Sequence, residues 1–328
     1  MTDLAFDRTG APAEEQLEQY RLELTGYCYR MLGSAFEAED AVQDTMIRAW
    51  RALAKFEGRS SLRSWLYRIA TNVCFDALDG RQRRARPMDL GPAVSASAPA
   101  GGTLPEATWI TPIPDDRVLP SSSDPADLAV ARDSVRLAFI AALQHLPPRQ
   151  RAVLILREVL AVPAADVAEL LETTTASVNS ALQRARATMA EREPTDTDVL
   201  PELDDEDTEL LARYLDAFER YDIPALTALI KEDATQSMPP YEMWLSGRDD
   251  ILTWWTGPGI ECKGSRLVPT RANGKPAFAQ YRPSGPGGAF EPWSLHVLEI
   301  RDGRIVEFTM FLDTERVFPL FGIPMTAT

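Results

Sequence analysis

Apolar residues recur at helical spacing in the first part of the chain. Val42, Met46, Ala49, Trp50 and Leu53 form one stripe, and Leu62, Trp65, Leu66, Ile69, Ala70, Val73 and Ala77 form the next. The spacing predicts two amphipathic helices joined by Lys55-Phe56-Glu57-Gly58-Arg59-Ser60, where Gly58 permits a turn and Ser60 or Ser61 caps the second helix. The other face of that helix carries Arg63, Tyr67, Arg68, Thr71 and Asn72. Further on, Pro163 suits a first helical position, Val167, Leu170 and Leu171 give a short apolar face, and Thr173-Thr174-Thr175 supplies a turn and a cap. In the next predicted helix Val178, Ala181, Leu182, Ala185 and Met189 point one way. Thr175, Ser177, Asn179, Ser180, Gln183, Arg184 and Arg186 are left at its start and outer face, residue types that reach base edges and phosphates in a major groove. After about residue 208 the period changes: a helix with Leu211, Tyr214, Leu215 and Phe218 precedes short strands, and Asn273-Gly274 and Asp302-Gly303 read as hairpin turns. Two all-α parts followed by an α+β part, with an antiparallel sheet, are expected.

Two stretches break the pattern. Residues 87–128 are rich in Pro, Ala, Ser and Gly and read as a flexible linker, and residues 193–207 read as a short acidic connector. Charge is distributed accordingly. The 328-residue chain has a net charge of -15, yet Arg48 to Arg86 holds ten Arg or Lys against three Asp or Glu, while Glu193 to Glu209 holds nine acids and no base. The sum argues against unaided binding to a polyanion; the basic stripe supplies a local surface for one.

Composition excludes several classes. No apolar run approaches the roughly 20 residues of a membrane helix, and the N-terminus has no signal-peptide pattern, so no membrane association and a cytoplasmic location are expected. Cys28, Cys74 and Cys262, with only His145 and His296 to join them, indicate no disulfide framework, no metal site and no cofactor, and buried thiols instead.

Order and motif now matter more than composition. Asp40-Ala41-Val42-Gln43-Asp44-Thr45 with Arg48-Ala49-Trp50, then Phe56 to Asn72, then Leu146-Pro147-Pro148-Arg149-Gln150-Arg151 and Ser177 to Arg186 together resemble the extracytoplasmic-function group of RNA polymerase sigma factors. The resemblance implies region 2 at 10–86, the linker at 87–128, a region 4 helix-turn-helix at 129–192 and the acidic linker at 193–207. Residues 208–328 resemble the SnoaL-like cone fold, through Met238-Pro239-Pro240-Tyr241, Gly247-Arg248-Asp249, Ala272 to Ala277 and Phe311-Leu312-Asp313. By the same resemblance, Asp40, Gln43, Asp44 and Arg48 dock on core RNA polymerase at the clamp coiled coil, with the flap as the second contact. Phe56, Arg59, Ser60, Arg63, Tyr67, Arg68 and Asn72 melt promoter DNA and read its minus-ten element, and the helix-turn-helix reads minus thirty-five. Melting needs aromatics and cations that hold single strands better than duplex, which this segment contains. Asn179 and Ala181 stand where the family usually carries cations, which implies a weaker grip on phosphates.

The implied function is an alternative sigma factor that catalyses nothing and is tuned by its own C-terminal domain, through packing of the cone or through the acidic connector competing with DNA. Tyr241, Trp244, Trp255, Tyr281 and His296, with Trp254 and Trp293 nearby, suggest a pocket for a small ligand, most of the aromatics being core. Two alternatives stand beside this reading. One is a stand-alone helix-turn-helix activator; the other is an isomerase or cyclase fused to a DNA-binding region, with His296 as its acid or base and Asp313 or Asp249 as partner.

Overall fold

The computed structural model describes residues 13–58, 60–98, 100–120, 124–192 and 205–327. They fall into two compact units: one takes residues up to Arg84 and those from Asp116 onward, and the other takes Ala85–Asp115 and the C-terminal part.

The first unit is helical. Its N-terminal half contains α1 (Ala13–Glu18), α2 (Arg21–Leu32), α3 (Ala35–Ala52) and α4 (Leu62–Leu78). Serine caps begin the last two: Ser34 Oγ accepts from Glu37 N at 3.4 Å, and Ser61 Oγ from Ser64 N at 3.1 Å. The other half contains α5 (Pro125–Asp133), α6 (Leu137–Gln144), α7 (Pro148–Leu154, continued by a π-turn), α8 (Ala164–Leu170) and α9 (Thr175–Arg192). Thr174 Oγ1 caps α9 by accepting from Ser177 N at 3.1 Å. Pro163, expected inside α8, is instead its N-cap, with extended ψ. Two buried guanidinium groups tie the halves together. Arg151 of α7 donates to Met31 O, to Gln144 Oε1 at 2.7 Å and to the carbonyls of Gln144 and Leu146 at 3.1 Å each. Arg30 of α2 donates to Ser134 Oγ at 2.6 Å and Ser134 O at 3.2 Å. Neither of these bonds involves a carboxylate, and burial lowers both guanidinium pKa values to about 10, so both remain charged at neutral pH.

In the second unit α10 (Asp205–Arg220) and α11 (Ile223–Leu229) lead into β1 (Ile230–Ser237) and β2 (Trp244–Ser246). Then come α12 (Arg248–Thr256), β3 (Arg266–Ala272), β4 (Lys275–Arg282), β5 (Glu291–Arg301), β6 (Arg304–Phe311) and α13 (Thr314–Leu320). The six strands form one sheet in the order β2-β1-β6-β5-β4-β3. The sheet is mixed where an antiparallel one was expected, because β6 returns to lie parallel to β1. Both hairpin turns are as read: Asn273 and Gly274 have φ of 55° and 74°, and Asp302 and Gly303 have 53° and 62°, the left-handed pair that two-residue hairpins require. Register puts Phe278, His296 and Met310 side by side, and α10 covers them through Tyr214 and Phe218.

The stretch read as a flexible linker is divided. Residues 85–115 form a strap on the second unit, and residues 116–120 belong to the first, where Val118 and Leu119 are buried. The strap closes on itself where Ala85 pairs with Trp109. It then meets the sheet domain through backbone bonds: Val94 N to Trp244 O and Leu104 N to Pro240 O, both at 2.9 Å. At its far end Ile113 N donates to Asn273 Oδ1 at 3.1 Å, and Asn273 N donates back to Ile113 O at 3.0 Å. Asp115 accepts from Gly274 N at 2.7 Å and from Arg271 Nε at 2.9 Å. Trp109, Ile110 and Ile113 are buried, each apolar anchor being worth roughly 1.5–3 kcal/mol. The expectation failed because proline and glycine rule out regular elements but do not prevent a chain from pairing its backbone with a neighbouring domain.

Asn273→Gly keeps the turn and removes one bond to the strap. Urea unfolding is expected to lose about 1 kcal/mol, and the Ile113 amide to exchange faster while the amides of β4 are unchanged.

Candidate functional site

Helix α3 buries Val42, Met46 and Ala49 and leaves Asp40, Gln43 and Arg48 exposed, with Asp44 half-buried. Arg48 bridges Asp44 at 2.8 Å and Asp76 of α4 at 3.4 Å. Trp50, placed on the buried stripe by its spacing, is 57% exposed, and Ile47 is 40% exposed beside it. An exposed Trp with an exposed Ile one turn before it has the character of a protein-binding anchor. The helix reading missed it because spacing alone does not say which side of a wide stripe meets the core.

Helix α4 corrects a second expectation. Tyr67, taken as a DNA contact, is 2% exposed; its ring stands edge-on to Tyr27 at 5.2 Å, beneath the Arg63 guanidinium. Thr71 is also buried, sharing a 2.7 Å hydrogen bond with Tyr27 Oη. The helix has protein on two sides, so the face opposite the stripe is only partly open. Trp65, assigned to the core, is half-buried against Phe56 with ring centroids 5.0 Å apart. Ser60 is half-buried, Asn72 and Arg68 are exposed, and Arg59 lies outside the described residues.

The cations of the basic stripe are largely engaged within their own unit. Arg63 meets Glu23 at 2.9 Å, Arg84 meets Glu37 at 2.9 Å, Arg81 meets the same carboxylate, and Arg68 meets Glu172. Glu172 lies in the turn between α8 and α9, at a φ of 51°. An exposed arginine of one half is thereby paired with the helix-turn-helix of the other.

Helix α9 has the arrangement its sequence predicts. Val178, Ala181, Leu182, Ala185 and Met189 are buried, and Thr175, Ser177, Asn179, Ser180, Gln183, Arg184 and Arg186 are exposed along the other face. Arg186 pairs with Glu158 at 2.8 Å. The face is a polar surface of the width that a major groove admits.

In the sheet domain a cavity of about 240 Å³ opens among α10, α12 and the sheet. Of the expected pocket residues, Tyr241 and Trp255 line it, as do Trp254 and Trp293. Trp244 does not; its indole donates to Gly91 O of the strap at 2.9 Å. Tyr281 packs on Phe318 and donates to Pro324 O at 2.7 Å. His296 is fully buried, and its ring nitrogens meet Tyr214 Oη at 3.0 Å and Gln280 Oε1 at 2.9 Å, where Asp313 or Asp249 had been expected. Burial pushes its pKa down to about 3, so the ring is neutral and both nitrogens are committed to structure, which is poor equipment for a general acid or base. Phe218, Tyr221, Gln236, Gln280 and Arg282 are among the other wall residues; no motif marks them, because they come together only through helix and strand packing. Among the described residues no group of three or more His, Cys, Asp or Glu could hold a metal ion, and no helix is long and apolar enough to cross a membrane.

A helix-turn-helix with a polar outer face, beside a helical domain with a basic and aromatic segment, is the architecture of a DNA-binding transcription protein. Comparison with known proteins narrows the class. Residues 17–84 match the Sigma-70 region 2 family, 136–189 match Sigma-70, region 4, and 211–308 match the SnoaL-like domain. The ECF RNA polymerase sigma factor SigG of Mycobacterium tuberculosis (strain ATCC 25618 / H37Rv) is 47% identical over 334 residues, covering 98% of this chain and 88% of that protein. The RNA polymerase sigma-H factor of Pseudomonas aeruginosa is 30% identical over 168 residues, covering 51% of this chain and 79% of its own length. The crystal structure of the extracytoplasmic function sigma factor SigJ of Mycobacterium tuberculosis shares the fold, with a TM-score of 0.61 at 21% identity over 95% of this chain and 99% of that one.

The chain belongs to the extracytoplasmic-function RNA polymerase sigma factors. It directs transcription initiation and is not an enzyme. The family match along both helical regions leaves the activator and isomerase alternatives without support.

Arg68→Ala is expected to lower promoter opening about tenfold or more, read by permanganate footprinting. It should change unfolding free energy by less than about 1 kcal/mol, since its ion pair is exposed. His296 generates a second expectation. The unfolded ring titrates near 6.5 and the buried one near 3, so its stabilising contribution is complete above pH 6.5 and falls by about 1.4 kcal/mol per pH unit below it. Urea unfolding between pH 7 and 5.5 should show this slope in the native chain and lose it in His296→Gln.

Proposed function

We propose that this sigma factor is restrained by its own C-terminal domain, and that the restraint acts through the strap. The observation that carries this reading is the capture of residues 85–115 by the sheet domain. The two promoter elements named for the family lie about 25 base pairs apart, roughly 85 Å of duplex at 3.4 Å per step. Residues 79–124 could extend to roughly 150 Å at 3.3–3.6 Å per residue if all were free. With 85–115 held, only 79–84 and 116–124 lie outside the second unit, and Val118 and Leu119 of that remainder are buried in the first. Releasing the strap therefore supplies the reach that reading both elements requires. The Arg68 to Glu172 pair and the Arg151 bond to Met31 O hold the helical halves together and must break at the same step.

In the released form Asp40, Gln43, Asp44 and Arg48, joined by Ile47 and Trp50, meet the clamp coiled coil of core polymerase, and region 4 meets the flap. Phe56, Arg59, Ser60, Arg63, Arg68 and Asn72 meet the minus-ten strand. Thr175, Ser177, Asn179, Ser180, Gln183, Arg184 and Arg186 meet the minus-thirty-five groove. Tyr67 acts from within the core, setting Arg63. A polymerase subunit of this kind works in the cytoplasm. Most of the acidic connector, residues 193–204, lies outside the described residues, so its competition with DNA rests on charge alone.

The test is run-off transcription with core polymerase, comparing the native chain with the double variant Asp115→Ala, Asn273→Gly. Loosening the strap by the three hydrogen bonds these side chains accept, about 1 kcal/mol each, should raise initiation roughly tenfold or more, with core affinity reported in parallel. Unchanged or lower output with normal core binding would remove the strap from the mechanism.

A further inference from the structure

The sheet-domain cavity has features that its core neighbours lack. Trp254, Trp255, Trp293 and Tyr241 give it flat aromatic walls, and Ala100 of the strap forms part of its lining. At 240 Å³ it lies just below the range of about 300–1,000 Å³ of ordinary ligand clefts, which suits a compact molecule of one or two fused rings.

The polar groups around the cavity define the ligand further. Gln280 is engaged at both ends: its Oε1 accepts from Ser294 Oγ at 2.7 Å and from His296 Nε2, and its Nε2 donates to Ser265 Oγ at 2.9 Å. Arg282 is neutralised by Glu261 at 2.8 Å and lies on the Trp293 ring, 3.9 Å from its centroid. The rim thus carries no net charge from this pair, which disfavours a charged ligand. Gln236 is different. It is 1% exposed, its Oε1 is fixed by the Trp255 indole at 2.7 Å, and its Nε2 finds only the Met238 sulfur at 3.7 Å, a weak acceptor. Arg282 Nε is likewise buried without a hydrogen-bond partner. Of the buried polar groups around the cavity, Gln236 Nε2 is thus a donor whose acceptor is weak, and a guest can offer it a better one.

We propose that this cavity binds a compact, flat, uncharged aromatic molecule bearing one carbonyl acceptor for Gln236 Nε2, and that the guest holds the strap on the domain. The sign follows from geometry, because Ala100 is a wall of the site only when the strap is in place. A guest that fits the enclosed volume binds the strapped form better than the released one and stabilises it by linkage. Such a molecule would act as a corepressor, a consequence that rests on the strap-based function proposed above.

Coumarin serves as the probe, with naphthalene as the same shape lacking the acceptor and 2-naphthoate as the charged control. All are titrated into the full-length protein by calorimetry and followed by hydrogen exchange. Coumarin is expected to bind roughly tenfold tighter than naphthalene, the difference of one hydrogen bond to a buried donor, and tighter than naphthoate. At ten times its Kd it should slow exchange of the Val94 and Leu104 amides about tenfold. Filling the cavity from the strap side with Ala100→Leu, or from the sheet side with Leu312→Phe, should abolish binding, and circular dichroism identifies a variant that has simply unfolded. Absence of coumarin binding, binding unaffected in both folded variants, or faster exchange of the two amides would each overturn the proposal. Run-off transcription with coumarin is a separate arm. Binding and protection without a fall in initiation would retain the site and sink the strap's role in transcription.

Discussion

A chain segment that cannot form its own helix or sheet must still pair its backbone groups, and the whole arrangement of this sigma factor turns on where residues 85–115 do so. They pair with the C-terminal domain: with the carbonyls of Trp244 and Pro240, and with the Asn273-Gly274 turn, whose left-handed backbone exposes an amide and a side-chain oxygen together. Trp109, Ile110 and Ile113 then add the apolar burial that a solvated linker forgoes. The connection between sigma regions 2 and 4 has thus become part of a third domain.

The helical unit is fastened by a different kind of contact. Arg30 and Arg151 are buried cations whose positive charge is met by carbonyl and hydroxyl oxygens drawn from both halves. A buried guanidinium stripped of such partners is costly, so the halves either stay docked or hand these groups to water. Around this fixed centre, exposed pairs such as Arg68 with Glu172 are weak and exchangeable.

The cone shows how a fold that elsewhere hosts catalysis can be made inert. His296 sits in its core with both nitrogens occupied and its charged form suppressed, and the cavity beside it is lined largely by aromatics, with the Gln236 amide facing only a sulfur acceptor. What remains is a recognition volume in contact with the strap. The cavity and the linker share one structural element, and binding energy at the first is available to the second.

The chain's own sequence determined whatever depends on local spacing. The stripes of α3, α4 and α9, the cap at Thr174 and the two left-handed hairpin turns were legible because period and turn chemistry act over a few residues. The polar outer face of α9 followed from the same stripe. Tertiary structure alone decided matters that depend on a second neighbour. Tyr67 is buried because α2 covers what one stripe left open, Trp50 is exposed because no element among the described residues covers it, and the proline-rich linker is ordered because a distant turn accepts it. The parallel return of β6, the partners of His296 and the gathering of the cavity walls belong with these. Periodicity reports which residues share a face; only the assembled chain determines how many faces are covered, and by what.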